Sequence, residues 1–211
     1  MNKPLSSLLA ILCGIMAVCG ITPNAHAAND AAKLLEQSAA KIKTAKSVDV
    51  AYTLKSGNTD VKGTLLLSGN KFYAVNNAMT AWYDGTTQWT YSPATCEVNI
   101  IEPTDEELAA TNPLAIMSSL KNKYTSSIIK SSPGFRTILL KSINKSSDWP
   151  QITITLKSST LLPTSIAIKG RDGSQTVIAI SSLQIRNTTA NESVFKFDRK
   201  KYPKAKIVDL R

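Results

Sequence analysis

Histidine and cysteine are almost missing from this sequence: one His and three Cys occur in 211 residues. His26, Cys13 and Cys19 all fall in the first 27 residues, and that stretch reads as a leader. Lys3 supplies a positive start. Leu5 to Ile21 is apolar and interrupted only by small residues, and Ala25-His26-Ala27 offers the small-residue exit of a signal-peptidase site. Cleavage after Ala27 is expected, which leaves 184 of the 211 residues, the size of one domain, 28–211. The competing reading, a lipoprotein signal acylated at Cys13 or Cys19, fits less well. Leu12 and Val18 stand where that processing site wants Gly, Ala or Ser.

Without the leader the chain has no His and a single Cys, Cys96. That excludes Ser-His-Asp and Cys-His catalysis, His-ligated zinc and a His general base. It also excludes an internal disulfide. Only carboxylate, lysine or tyrosine chemistry remains, so a hydrolase reading is disfavoured. Thr104-Asp105-Glu106-Glu107 groups carboxylates, but a capping box at a helix start explains the pattern without chemistry. Cys96 has no cation beside it in sequence to lower its pKa and reads as a small buried hydrophobe. No catalytic residue, metal ligand or cofactor is assigned. Acid is scarcer than base. The net charge of +10 falls to +9 without the leader, which holds one Lys and no acid. For an exported chain nucleic acid is not an expected partner. Solvated charge is the simpler account, and an anionic membrane or an acidic protein is the alternative.

What is present is mostly strand. Residues 30–46 have apolar positions at helical spacing, Leu34, Leu35, Ser38, Ala39 and Ile42, with lysines on the other face. From Val48 the period becomes two: Val48, Val50, Tyr52 and Leu54 alternate with polar or small residues. Strands are expected over 61–68, 71–75, 96–102, 126–130, 135–141, 152–157, 164–169 and 176–183, parted by Gly, Pro, Asn and Asp. Asp84-Gly85 between two aromatic-rich runs marks a hairpin. No helical crossovers follow the middle of the chain, so the sheet should be an antiparallel meander. Continuous apolar runs, Leu65-Leu66-Leu67 and Ile138-Leu139-Leu140, require cover on part of both faces. The middle holds one apolar helix, Asn112 to Tyr124, with Asn112 as N-cap and Pro113 at its first position. A strongly curved sheet wrapped round these two helices satisfies the pattern.

Four stretches, in this order, resemble the periplasmic lipoprotein carrier family LolA: "AKSVDVAYTL" (45–54), "WYDGTTQWTYSP" (82–93), "TNPLAIM" (111–117) and "FKFDRKKYPKAKIVD" (195–209). The resemblance spans nearly the whole chain after the leader. It implies a mainly β (α+β) fold: a strongly curved, unclosed antiparallel half-barrel with an N-terminal helix and a short helical lid. Function by resemblance is a periplasmic chaperone that shields lipoprotein acyl chains between the inner and outer membranes. An inner-membrane ABC transporter would load a monomer, which an outer-membrane acceptor would unload. One departure stands out. The family carries an Arg before its third strand that latches the lid. Here the turn is Ser68-Gly69-Asn70-Lys71, and Lys71 is a flexible point charge rather than a planar fork.

On this resemblance the candidate acyl-binding residues are Val50, Tyr52, Leu54, Leu65, Leu67 and Phe72 on the strands. Trp82, Trp89 and Tyr91 join them from the hairpin, and Leu114, Ile116, Met117 and Leu120 from the lid. Two readings stay open. The helix is either a movable lid or a fixed plug. The hairpin aromatics either line a cavity or steady the hairpin as cross-strand pairs, and alternation turns only one of each neighbouring pair inward. Rival functions on the same fold are a carrier of free lipid or glycolipid and a lipid-sensing envelope-stress module.

Overall fold

The computed structural model describes residues 25–104, 107, 108, 111, 112, 114, 117, 120 and 122–211, with side chains from residue 30 onward. Most of the expected leader lies outside the described residues, as do Asp105, Glu106, Pro113 and Ile116. Helix α1 (Ala25–Lys43) presents Ala31, Leu35 and Ser38 to the interior at spacings of four and three, the helical period. Lys41 and Lys43 sit in its last turn, where the helix dipole favours cations. The expected cleavage point falls in its first turn.

Ten strands follow as two meanders. The first comprises β1 (Ser47–Ser56), β2 (Thr59–Ser68), β3 (Lys71–Asn76), β4 (Thr80–Tyr83), β5 (Gln88–Ser92) and β6 (Glu97–Ile101). The second comprises β7 (Tyr124–Ser132), β8 (Phe135–Ser142), β9 (Gln151–Lys157) and β10 (Pro163–Lys169), and it runs on into an eleventh strand, β11 (Gln175–Arg186). β1 pairs antiparallel with β11 and so joins the meanders into one sheet. β12 (Lys206–Asp209) then adds outside β6 in parallel. The order β12-β6-β5-β4-β3-β2-β1-β11-β10-β9-β8-β7 leaves β12 and β7 as edges. The sheet is therefore curved but unclosed, and mostly antiparallel. β12 escaped the sequence reading. Four residues after a run of cations give no period to read, and the parallel partner β6 lies about a hundred residues earlier in the chain.

The strands alternate as expected. Val48, Val50 and Tyr52 of β1, Leu65 and Leu67 of β2, and Ile152, Ile154 and Leu156 of β9 point to one buried face. α1, together with Leu108, Leu114, Met117 and Leu120, packs on that concave face. The other face carries a second, smaller cluster beneath the C-terminal stretch. Phe195 and Val98 are fully buried there, and Phe197 and Tyr202 pack edge-on against Trp82. Of the two apolar runs that demanded cover on both faces, the one on β2 is met by this C-terminal strap, where Leu66 and Val194 border one hollow, whereas Leu139 of β8 stays half-buried on the outer face.

Candidate binding cavity

The segment 104–123 is opened by local chemistry that the sequence shows. Thr104 Oγ1 accepts from Glu107 N (3.3 Å) and Glu107 Oε2 accepts from Thr104 N (2.8 Å), the expected capping box. Asn112 Oδ1 accepts from Leu114 N at 3.0 Å, the expected N-cap. Leu114, Met117 and Leu120 recur every three residues, all are buried, and all three join the concave core. Ile116, the fourth residue expected on this underside, lies outside the described residues.

Two cavities flank this segment. One, about 240 Å³, lies over Leu67, Phe72 and Tyr83 and is roofed by Leu108, Leu114 and Met117. The other, about 500 Å³, lies between α1 and β7, lined by Leu35, Met117, Leu120, Tyr124 and Leu140. Ala39 and Met117 border both, so one α1 residue and one thioether are all the two spaces share. Void of this size with an apolar lining is of the order that holds small apolar ligands, since an apolar cavity of roughly 150 Å³ already takes up benzene. At the other end of the concave face Leu54, Trp149, Ile168 and Ile178 border a more open hollow of about 590 Å³, rimmed by Asp148, Arg171 and Asp172.

The structure therefore brings Leu67, Phe72, Leu114, Met117 and Leu120 to the cavities. Leu54 goes to the far hollow. Val50, Tyr52 and Leu65 are buried in the concave core and line neither cavity. Tyr52 has a particular task. Its cross-strand partner is Gly63, and a Cβ placed on Gly63 would stand 2.6 Å from the Tyr52 ring. The phenol thus lies across the bare glycine, toward the side chain of Asn76, Gly63's partner on β3. Burial pushes the Tyr52 pKa up, and the Asn76 contact only partly offsets it.

Trp82, Trp89 and Tyr91 do not reach the cavities. Cross-strand partners share a face, and Tyr73, Trp82, Trp89 and Ile100 form one row across β3–β6. That row faces outward. Tyr73 and Trp82 pair at 5.9 Å, and Tyr91 packs on Tyr202 at 4.7 Å. The inward members of this hairpin are Tyr83, which packs on Phe72 at 5.4 Å, and Gln88. The sequence reading left open which of Trp82 and Tyr83 turns inward. The two have the same alternating context, so no local signal separates them.

Lys71, nearest the missing Arg, makes an ion pair with Glu192. That removes it from any latch. A different polar tie exists. Gln88 Nε2 donates to Thr111 Oγ1 at 3.2 Å, both residues being buried, and so joins β5 to the covering segment. Gln88 Oε1 is buried without a hydrogen-bond partner. Cys96 is half-buried, with its thiol 3.7 Å from the Lys204 carbonyl rather than in the core. Among the described residues no three His, Cys, Asp or Glu side chains gather as a metal would require.

A family model described as outer membrane lipoprotein carrier protein LolA matches residues 21–174. No curated protein matches the chain. Among solved structures, an uncharacterized conserved protein from Thermus thermophilus is similar at TM-score 0.58 and 9% identity, covering 85% of this chain and 99% of that one. A LolA superfamily protein from Nitrosomonas europaea aligns at TM-score 0.41 and 11% identity, over 79% and 97% of the two chains. The Pseudomonas aeruginosa MucA/MucB complex aligns at TM-score 0.46 and 12% identity, over 81% and 62%. At such identities the likeness is one of fold, and the Thermus protein carries it.

Proposed function

The chain belongs to the outer membrane lipoprotein carrier (LolA) family, and from that premise we propose that it is an exported carrier that shields the acyl chains of a lipoprotein in the periplasm. The observation that supports this most directly is the pair of apolar cavities that both border Met117. Each acyl methylene withdrawn from water is worth about 0.8 kcal/mol, so chains left exposed would aggregate or return to the nearest bilayer. A carrier has to offer comparable apolar surface and still let go.

The segment 104–123 meets both demands when it acts as a lid. Empty, the protein keeps Leu114, Met117 and Leu120 buried. Cargo that enters must displace part of that contact, so net affinity is the difference between guest and lid. Loading by an inner-membrane ABC transporter and delivery to an outer-membrane acceptor complete the proposal. The Gln88–Thr111 hydrogen bond stands where an Arg latch is absent, as a neutral tie that costs little to break. Mass spectrometry of molecules that co-purify with the protein tests the reading. Triacylated lipoprotein is the expected finding. Phospholipid or glycolipid instead would make it a carrier of free lipid, and no lipid at all would overturn the carrier reading.

A further inference from the structure

The cations are unevenly placed. Residues 108–171 hold nine Lys and Arg against a single carboxylate, Asp148, and strands β7, β8, β9 and β10 contain no Asp or Glu at all. Register shows where their lysines point. Ile138, Leu140, Ile152, Ile154, Leu156 and Ile166 turn into the core, so residues of opposite parity face out. Lys157 stands opposite Phe135, and Lys130 opposite Thr137. Lys141, Gln151 and Lys169 form one row across β8, β9 and β10. All four lysines are exposed, and none is in an ion pair among the described residues. The rest of this outer face is Thr, Ser and Ala, with Leu139. At its β7–β8 end two large apolar side chains stand in water: Phe135 at 42% exposure and Ile129, at the bulge in β7, at 54%. The C-terminal basic stretch is different, because Asp198 and Asp209 are interleaved with it and Lys206 is paired with Glu97 of β6.

We propose that the outer face of β7–β10 docks on an anionic lipid bilayer surface, through Lys130, Lys141, Lys157 and Lys169, with Phe135 and Ile129 entering the headgroup layer. The charge is complementary. Its form also fits a fluid target better than a folded acidic partner. The cations are all lysines on flexible stems, spread over a pleated surface with strands about 4.8 Å apart, and no groove or planar guanidinium fork fixes a docking geometry. Apolar side chains at the rim of a basic face are the other half of interfacial binding. Docking in this way sets β7, the sheet edge beside the larger cavity, next to the bilayer. The inference stands apart from the carrier reading, since it needs no acyl cargo.

The test is sedimentation of the purified protein with vesicles of phosphatidylcholine alone and of phosphatidylcholine mixed with phosphatidylglycerol. Each lysine near an anionic surface is worth about fivefold in partitioning, so K130Q/K141Q/K157Q/K169Q should lose about 600-fold on the mixed vesicles. Its N-terminal segment is unchanged and contributes equally to both proteins. Thermal unfolding of the variant should match the parent, because all four side chains are exposed. A salt titration of the unaltered protein, which needs no variant, should release it from the mixed vesicles as the Debye length shortens. Phe135→Ser should weaken binding further at fixed charge. Equal binding to both vesicle types, salt-independent binding, or capture by an acidic protein without vesicle binding would each overturn the proposal.

Discussion

Met117→Ala separates a lid from a plug. The change removes three heavy atoms from a side chain that is 6% exposed and borders both cavities. At about 0.8 kcal/mol per methylene-sized group the lost burial is about 2 kcal/mol. Core truncations of this kind run from about 2 to 5 kcal/mol. The low end applies here because empty space already lies on either side, so few neighbours lose contacts. When the cover must move for an acyl chain to enter, those 2 kcal/mol come off the closed state only. The competent fraction then rises by about 30-fold, and so does apparent affinity, as long as the closed state still dominates. Titration with a fluorescent fatty acid measures the affinity, and amide exchange at Leu114 and Leu120 measures the opening. Both should rise by similar factors. A lowered melting temperature with unchanged acyl affinity would refute the argument and make the segment a permanent part of the core. Higher affinity without faster exchange would refute it too, since enlarged space alone would then account for the gain.

Gly63→Val should force the Tyr52 ring off its partner, because a Cβ there meets ring atoms at 2.6 Å. Overpacking of this kind costs about 1–3 kcal/mol, read as a fall in melting temperature, and Tyr52→Val in the same chain should recover most of it. Tyr52 also sets an alkaline limit. Its folded pKa is raised from 10.0 by burial, so the folded state holds the proton after the unfolded chain has lost it. The stability it contributes is full below pH 10.0 and declines as pH rises through the folded value. Denaturant unfolding followed from pH 9 upward should show that decline, and Tyr52→Phe should flatten it.

The long strands were legible because period two survives in residues such as Gln151-Ile152-Thr153-Ile154-Thr155-Leu156, where every second side chain is apolar. The capping box at Thr104 and the N-cap at Asn112 were legible because both depend on neighbours three residues away or fewer. Less of the cavity was. Phe72, Leu67 and the lid leucines were found, but the three hairpin aromatics offered for the hollow lie on the other face, where Trp82 packs on Phe197 and Tyr91 on Tyr202. Trp149 and Leu108 were overlooked, since each gains its place from partners distant in sequence.

By itself the sequence determined the alternation of the long strands, their antiparallel meandering between tight turns, and the amphipathic pieces available to cover them. These follow from composition, spacing and turns, which act over a few residues. Only tertiary structure decided which side of each alternating strand became the inside. A pleated strand has two equivalent faces until something covers one, and here the cover comes from α1 on one side and from residues 194–205 on the other. The same selection left the lysines of β7–β10 facing out together, a grouping that no local stretch of the chain displays.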